Sequence, residues 1–190
     1  MKILIVYATT EGQTRKIARH VFDWMAGAGH AVELIAAEDA RGRDPGRFDA
    51  VIVAGSVHAG RYQRELVDWA KAEARSLAGV PALFLSVSLT AAGEDAQEWE
   101  GLRGCVTRFS AETGWTPGRI EHVAGAFRFA EYDFFKSWAM RWIAAQRDET
   151  VRAGEDREYT DWAALDAALQ DWTAGLAAGR YAVSQGRNRP

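Results

Sequence analysis

Short β-branched runs alternate with segments of helical periodicity along most of this chain, and that rhythm leaves few folds open. Residues 2–7, Lys-Ile-Leu-Ile-Val-Tyr, are apolar at successive positions after Lys2, as a strand buried on both faces is. Beyond Thr14, residues Ile17, Ala18, Val21, Phe22 and Met25 recur at helical spacing, and Gly27 and Gly29 close the segment. The pattern then repeats: strands at 32–36 and 50–54, a helix carrying Leu66, Ala70, Ala74 and Leu77, and a strand at 82–87. A weaker helix through Leu102, Val106 and Phe109 leads to a fifth strand at 120–126. The closing helix presents Trp162, Leu165, Leu169, Trp172 and Leu176 on one face, with Thr160 expected to cap its start. Helical crossovers join parallel strands, so the expected fold class is α/β, a doubly wound sheet of five parallel strands.

At 190 residues the chain fits one domain, expected over 1–178, with a tail at 179–190 that reads as frayed. Residues 127–158 interrupt the rhythm: some thirty residues stand where a connection of about two to six is usual. A net charge of −3 gives no reason to expect nucleic acid, since an extended phosphate surface calls for a basic excess. The single cysteine, Cys105, forms no internal disulfide and reads as a small buried apolar residue rather than a redox centre. No window holds the eighteen or so apolar residues of a membrane span, and the first residues read as a strand rather than a secretory signal, so the expected compartment is the cytoplasm.

Directly after the first strand come Thr9, Thr10, Glu11, Gly12, Gln13 and Thr14, and then a helix. A helix N-terminus offers unpartnered N–H donors and partial positive charge, threonine hydroxyls add donors, and Gly12 lets the backbone approach an anion closely. The loop reads as a phosphate cradle; the alternative is a threonine-rich turn that merely caps the helix. It lacks the lysine of a Walker loop and the three glycines of a dinucleotide loop, so neither ATP nor NAD is the expected ligand. No metal site is expected. In this fold class, ligands lie outside the carboxyl ends of the strands, where the strand order reverses. The loops after strands three and four should therefore meet the cradle. They contain Ser56, Val57, His58, Ala59 and Gly60 in one case, and Ser86, Val87, Ser88, Leu89 and Thr90 in the other. Both are small and polar, suited to a flat ring. His58 is either a ring contact and proton donor or an exposed loop histidine without a function.

The opening from Ile5 to Ala18 resembles the phosphate-binding start of flavodoxin-like proteins. Gly125-Ala126-Phe127-Arg128-Phe129 with Tyr132, then Asp148-Glu149-Thr150 and Tyr159-Thr160-Asp161-Trp162, are similar in order and spacing to one branch, the bacterial menaquinone-type protoporphyrinogen IX dehydrogenases. The chain departs from that branch at Ala59, where an aromatic residue is usual, and at 146–148, where a glycine pair is. The resemblance implies strand order 2-1-3-4-5, FMN as cofactor, and oxidation of protoporphyrinogen IX with a membrane quinone as acceptor. It also implies a cytoplasmic protein peripheral to the inner membrane. No acid or base is implied, because FMN itself carries the chemistry. An electron-carrier flavodoxin, a nicotinamide-fed quinone reductase and a degenerate binding module are the rivals.

Within the insertion, Phe135, Trp138, Ala139, Trp142 and Ile143 fall along one helical stripe. Four basic and two acidic residues between 127 and 147 give it a local charge of +2. Such a stripe is a core helix, a dimer contact between two copies, or a surface resting on an anionic membrane. Arg128 could pair with a substrate carboxylate or form a structural salt bridge. Arg128, Tyr132, Phe135, Trp138 and Trp142 are the candidate substrate or membrane contacts.

Overall fold

Parallel pairing begins at once: strand β1 (Lys2–Ala8) is flanked by β2 (Ala31–Ala36) on one side and β3 (Ala50–Ser56) on the other. In this computed structural model, which describes residues 1–127 and 157–181, β4 (Ala82–Ser88) pairs with β3, and β5 (Arg119–Ala124) with β4. The order is β2-β1-β3-β4-β5, all parallel, as expected. The central strands are buried almost throughout, whereas the edge strands β2 and β5 are mostly half-buried.

Alternate residues of each strand face opposite layers. Ile3, Ile5, Ile52, Leu83 and Leu85 meet helix α1 (Gln13–Gly27) through Ile17, Val21 and Met25, and helix α5 (Trp162–Ala177) through Leu165, Leu169 and Trp172. Leu4, Val6, Val51, Val53 and Phe84 face the other way, toward α2 (Arg64–Ala72), α3 (Ala74–Ala78) and α4 (Ala96–Thr113). That second layer is aromatic: Phe84 stacks on Phe109 at 5.0 Å, and Tyr62 meets both edge-on at 5.1 Å. Fully burying one such side chain contributes about 1.5–3 kcal/mol, so the two layers hold the strand ends in place for the loops above them.

Three local expectations need correcting. The stripe Leu66, Ala70, Ala74 and Leu77 is carried by two helices, because the chain turns at Glu73 (φ −101°, ψ 10°). Thr160 does not cap α5; Asp161 does, its carboxylate accepting from the Ala164 N–H at 2.9 Å. The fifth strand stops at Ala124, and after Gly125 the chain forms β6 (Ala126–Phe127), which pairs antiparallel with β7 (Arg157–Glu158). Cys105 is buried, as expected. Beyond α5, Arg180 and Tyr181 reach back to Asp171 and Arg119. Among the described residues no helix is long and apolar enough to cross a membrane.

Candidate functional site

Four strand ends converge above β1, β3, β4 and β5 around a cavity of about 280 Å³. The loop after β1 supplies Thr9, Thr10, Glu11, Gln13 and Thr14 to its wall; the loop after β3 supplies Ser56, Val57, His58, Ala59 and Gly60; and the end of β4 supplies Val87, Ser88, Leu89 and Thr90. All of these were expected from sequence. Gly125 and Ala126 complete the wall and were missed, although the strand-end rule that selected the other loops applies equally to the end of β5.

The first loop is built to leave donors available. Gly12 is the N-cap of α1 at φ 88°, a left-handed conformation that favours glycine, and it has no side chain with which to consume the N–H groups of the first turn. Its own N–H donates to Thr9 Oγ1 at 2.9 Å, which closes the turn. Thr14 is 1% exposed, and its buried Oγ1 has no hydrogen-bond partner among the described residues. A buried hydroxyl left unpaired costs about 1–3 kcal/mol, and this one stands at a helix N-terminus beside the cavity. The Gln13 side chain is engaged by the segment that follows β5. Its Nε2 donates to Thr160 Oγ1 at 2.9 Å, and that hydroxyl donates to Ala124 O at 2.7 Å. Gln13 therefore ties the cradle to the end of β5 and offers an anion only its backbone N–H.

Lys16, one turn into α1, pairs with Glu158 at 2.6 Å. Burial would raise the Glu158 carboxyl, but hydrogen bonds from Lys16, Trp162 and Gln13 hold it below the ordinary carboxylate range. The base of β7 is thus fastened to the helix that opens the cradle.

The loop after β3 satisfies itself. His58 and Arg61 exchange backbone hydrogen bonds at 2.8 and 3.0 Å around Ala59 (φ 47°) and Gly60 (φ 77°), so both central residues take the positive φ of a tight hairpin turn. Val57 N–H reaches Val87 O at 2.8 Å, and Arg108 Nη2 donates to Gly60 O at 3.0 Å. His58 Nδ1 lies 3.8 Å from Glu11 Oε1, bringing this loop to the cradle.

Ser86 is placed elsewhere. It is fully buried on β4, its hydroxyl 2.8 Å from the Tyr62 phenol, and it does not line the cavity. Burial pushes that phenol well above its ordinary value, so the Tyr62–Ser86 pair stays neutral within the aromatic layer. Arg128, Tyr132, Phe135, Trp138 and Trp142 lie outside the described residues. No group of three or more metal-ligating side chains occurs among the described residues.

Comparison with known proteins gives a consistent result. The flavodoxin domain model matches residues 4–152. The protoporphyrinogen IX dehydrogenase [quinone] of Escherichia coli K12 is 25% identical over 162 residues, which cover 85% of this chain and 89% of that protein. The protein of the same name from Leishmania major is 25% identical over 175 residues, 91% of this chain and 75% of the relative. Among solved structures, a Streptococcus pneumonia TIGR4 flavodoxin superposes with a TM-score of 0.54 at 17% identity, covering 94% of this chain and 99% of that one. The sheet order, the cradle at the first strand end and the match over most of its length agree: this chain belongs to the flavodoxin domain family.

Proposed function

We propose that the chain binds FMN in the cavity above β1, β3, β4 and β5 and oxidises protoporphyrinogen IX to protoporphyrin IX, passing electrons to a membrane quinone. The observation that carries the cofactor reading is the cradle itself. The orphaned Thr14 hydroxyl and the uncapped first turn of α1 suit a phosphate, which supplies acceptors to both. Thr9, Thr10 and Thr14 would hold it by side chain and Gln13 by its backbone N–H, while Gly12, whose own N–H closes the turn on Thr9, would let the backbone approach closely. The segments 56–60 and 87–90 would flank the ring.

FMN supplies the acceptance of electron pairs, three of which leave the substrate on the way to porphyrin. The protein's part is to place the ring and set its surroundings. Small residues along both loops permit close approach of backbone N–H and C=O groups, and the Glu11 carboxylate near His58 adds fixed polarity at one rim. Support for this substrate and acceptor comes from the names of the two relatives, each 25% identical over most of this chain. On this reading residues 1–178 form one FMN-binding domain with its insertion at 127–158 and a tail at 179–190. The insertion meets substrate or membrane through Arg128, Tyr132, Phe135, Trp138 and Trp142, on the cytoplasmic face of the inner membrane.

The test is anaerobic. Protein loaded with FMN is mixed with protoporphyrinogen IX and a menaquinone analogue in detergent, and porphyrin fluorescence is followed beside a variant lacking residues 132–147. Porphyrin formation that needs both quinone and the insertion is the expected result. Bound flavin without porphyrin would reduce the protein to an electron carrier.

A further inference from the structure

Gln63 does not line the cavity, yet it touches two residues that do. Its Nε2 donates to Thr10 Oγ1 at 2.9 Å and to Ser56 Oγ at 2.6 Å, while its Oε1 accepts from the Ser56 backbone N–H at 3.3 Å. The backbone contact fixes the sense of the amide. An N–H must face an oxygen, so Oε1 faces Ser56 N and Nε2 is left to face both hydroxyls. A flipped amide would set donor against donor at Ser56. Because an amide nitrogen donates and does not accept, each hydroxyl receives a bond from Gln63 and must turn its own proton elsewhere. Among the described residues, neither hydroxyl has an acceptor for that proton, and both residues border the cavity.

We infer that Gln63 is a positioning residue that sets Thr10 and Ser56 as hydrogen-bond donors into the cavity, so that the site selects a ligand presenting acceptors at two places. This rests on the FMN reading, in which Thr10 would serve a phosphate oxygen and Ser56 an acceptor on the ring or its side chain. Gln63 also joins the cradle to the loop after β3, since Thr10 and Ser56 stand on different strand ends. Its reach is set by its place just before α2, as the N-cap residue of that helix.

The role separates from simple packing in a mutant cycle. Affinity for FMN is read by quenching of flavin fluorescence in wild type, Gln63→Leu, the pair Thr10→Val with Ser56→Ala, and the triple variant, with circular dichroism confirming that each folds. Leucine keeps the volume and removes the amide. If Gln63 acts through the hydroxyls, Gln63→Leu weakens FMN binding about five-fold or more in wild type and less than about two-fold once the hydroxyls are gone. Equal losses in both backgrounds, or no loss in wild type, would overturn the role. Failure of the wild-type chain to bind FMN at all would overturn the flavin reading with it, an outcome distinct from a wild type that binds and a cycle that shows no coupling.

Discussion

The loop after β1 and the loop after β3 border the same cavity and are built on opposite principles. The first leaves groups without partners: an uncapped helix start and a buried Thr14 hydroxyl. The second has its backbone groups engaged, with His58 and Arg61 paired, Gly60 O held by Arg108 of α4, and Ala59 in a conformation that most side chains avoid. One leaves polar groups open, while the other has its backbone hydrogen bonds closed. On the FMN reading, recognition divides into a charge-seeking part whose donors are open and a shape-giving part whose backbone needs are met while its Ser56 hydroxyl stays open.

That contrast can be broken most forcefully at Gly12. Gly12→Val places a β-branched residue at φ 88° in the cradle, and we expect FMN retention to fall by at least about 100-fold, measured by equilibrium dialysis. Retained binding would remove the cradle from the site. Thr14→Val sharpens the contrast, since it deletes the orphaned hydroxyl at nearly constant volume. Urea denaturation of the flavin-free chain should show stability unchanged or raised by about 1 kcal/mol, while FMN binds about ten-fold more weakly. A hydroxyl with a structural role would give the reverse: lower stability and unchanged affinity. The smallest effect is expected at Ala59→Gly, which relieves the positive φ. Here melting should show a gain of up to about 1 kcal/mol, offset in part by the greater chain entropy of glycine, with affinity little altered because the wall keeps its shape.

The sheet, and the place of the first loop at the cavity, were legible because each rests on local pattern. Residues 3–7 are uniformly apolar and rich in β-branched side chains, as an interior strand is, and Thr9 to Thr14 follow them where that strand end meets a helix start. What escaped the sequence depends on partners far along the chain. Nothing near Glu73 announces a break, since no glycine or proline interrupts the stripe from Leu66 to Leu77. Thr160 and Asp161 are both good caps by type, and the choice fell to Asp161 because Thr160 was needed by Gln13, 147 positions away. Ser86 shares its loop's small, polar character, but strand alternation turns it toward Tyr62 and the core. Gln63 carries no motif; its importance arises from Thr10, 53 positions earlier.

The pairing of β6 with β7 sets Ala126 opposite Glu158 and Phe127 opposite Arg157. The excursion between Phe127 and Arg157 therefore departs and returns at neighbouring points, about 5 Å apart as paired strands are. Closing a longer or shorter segment across those two points changes the free energy only by a slowly varying logarithm of its length. A segment joined at that pair can thus change in length at a small cost in closure entropy. For the designer, Phe127 and Arg157 mark the splice points at which a foreign segment can be seated beside the cavity.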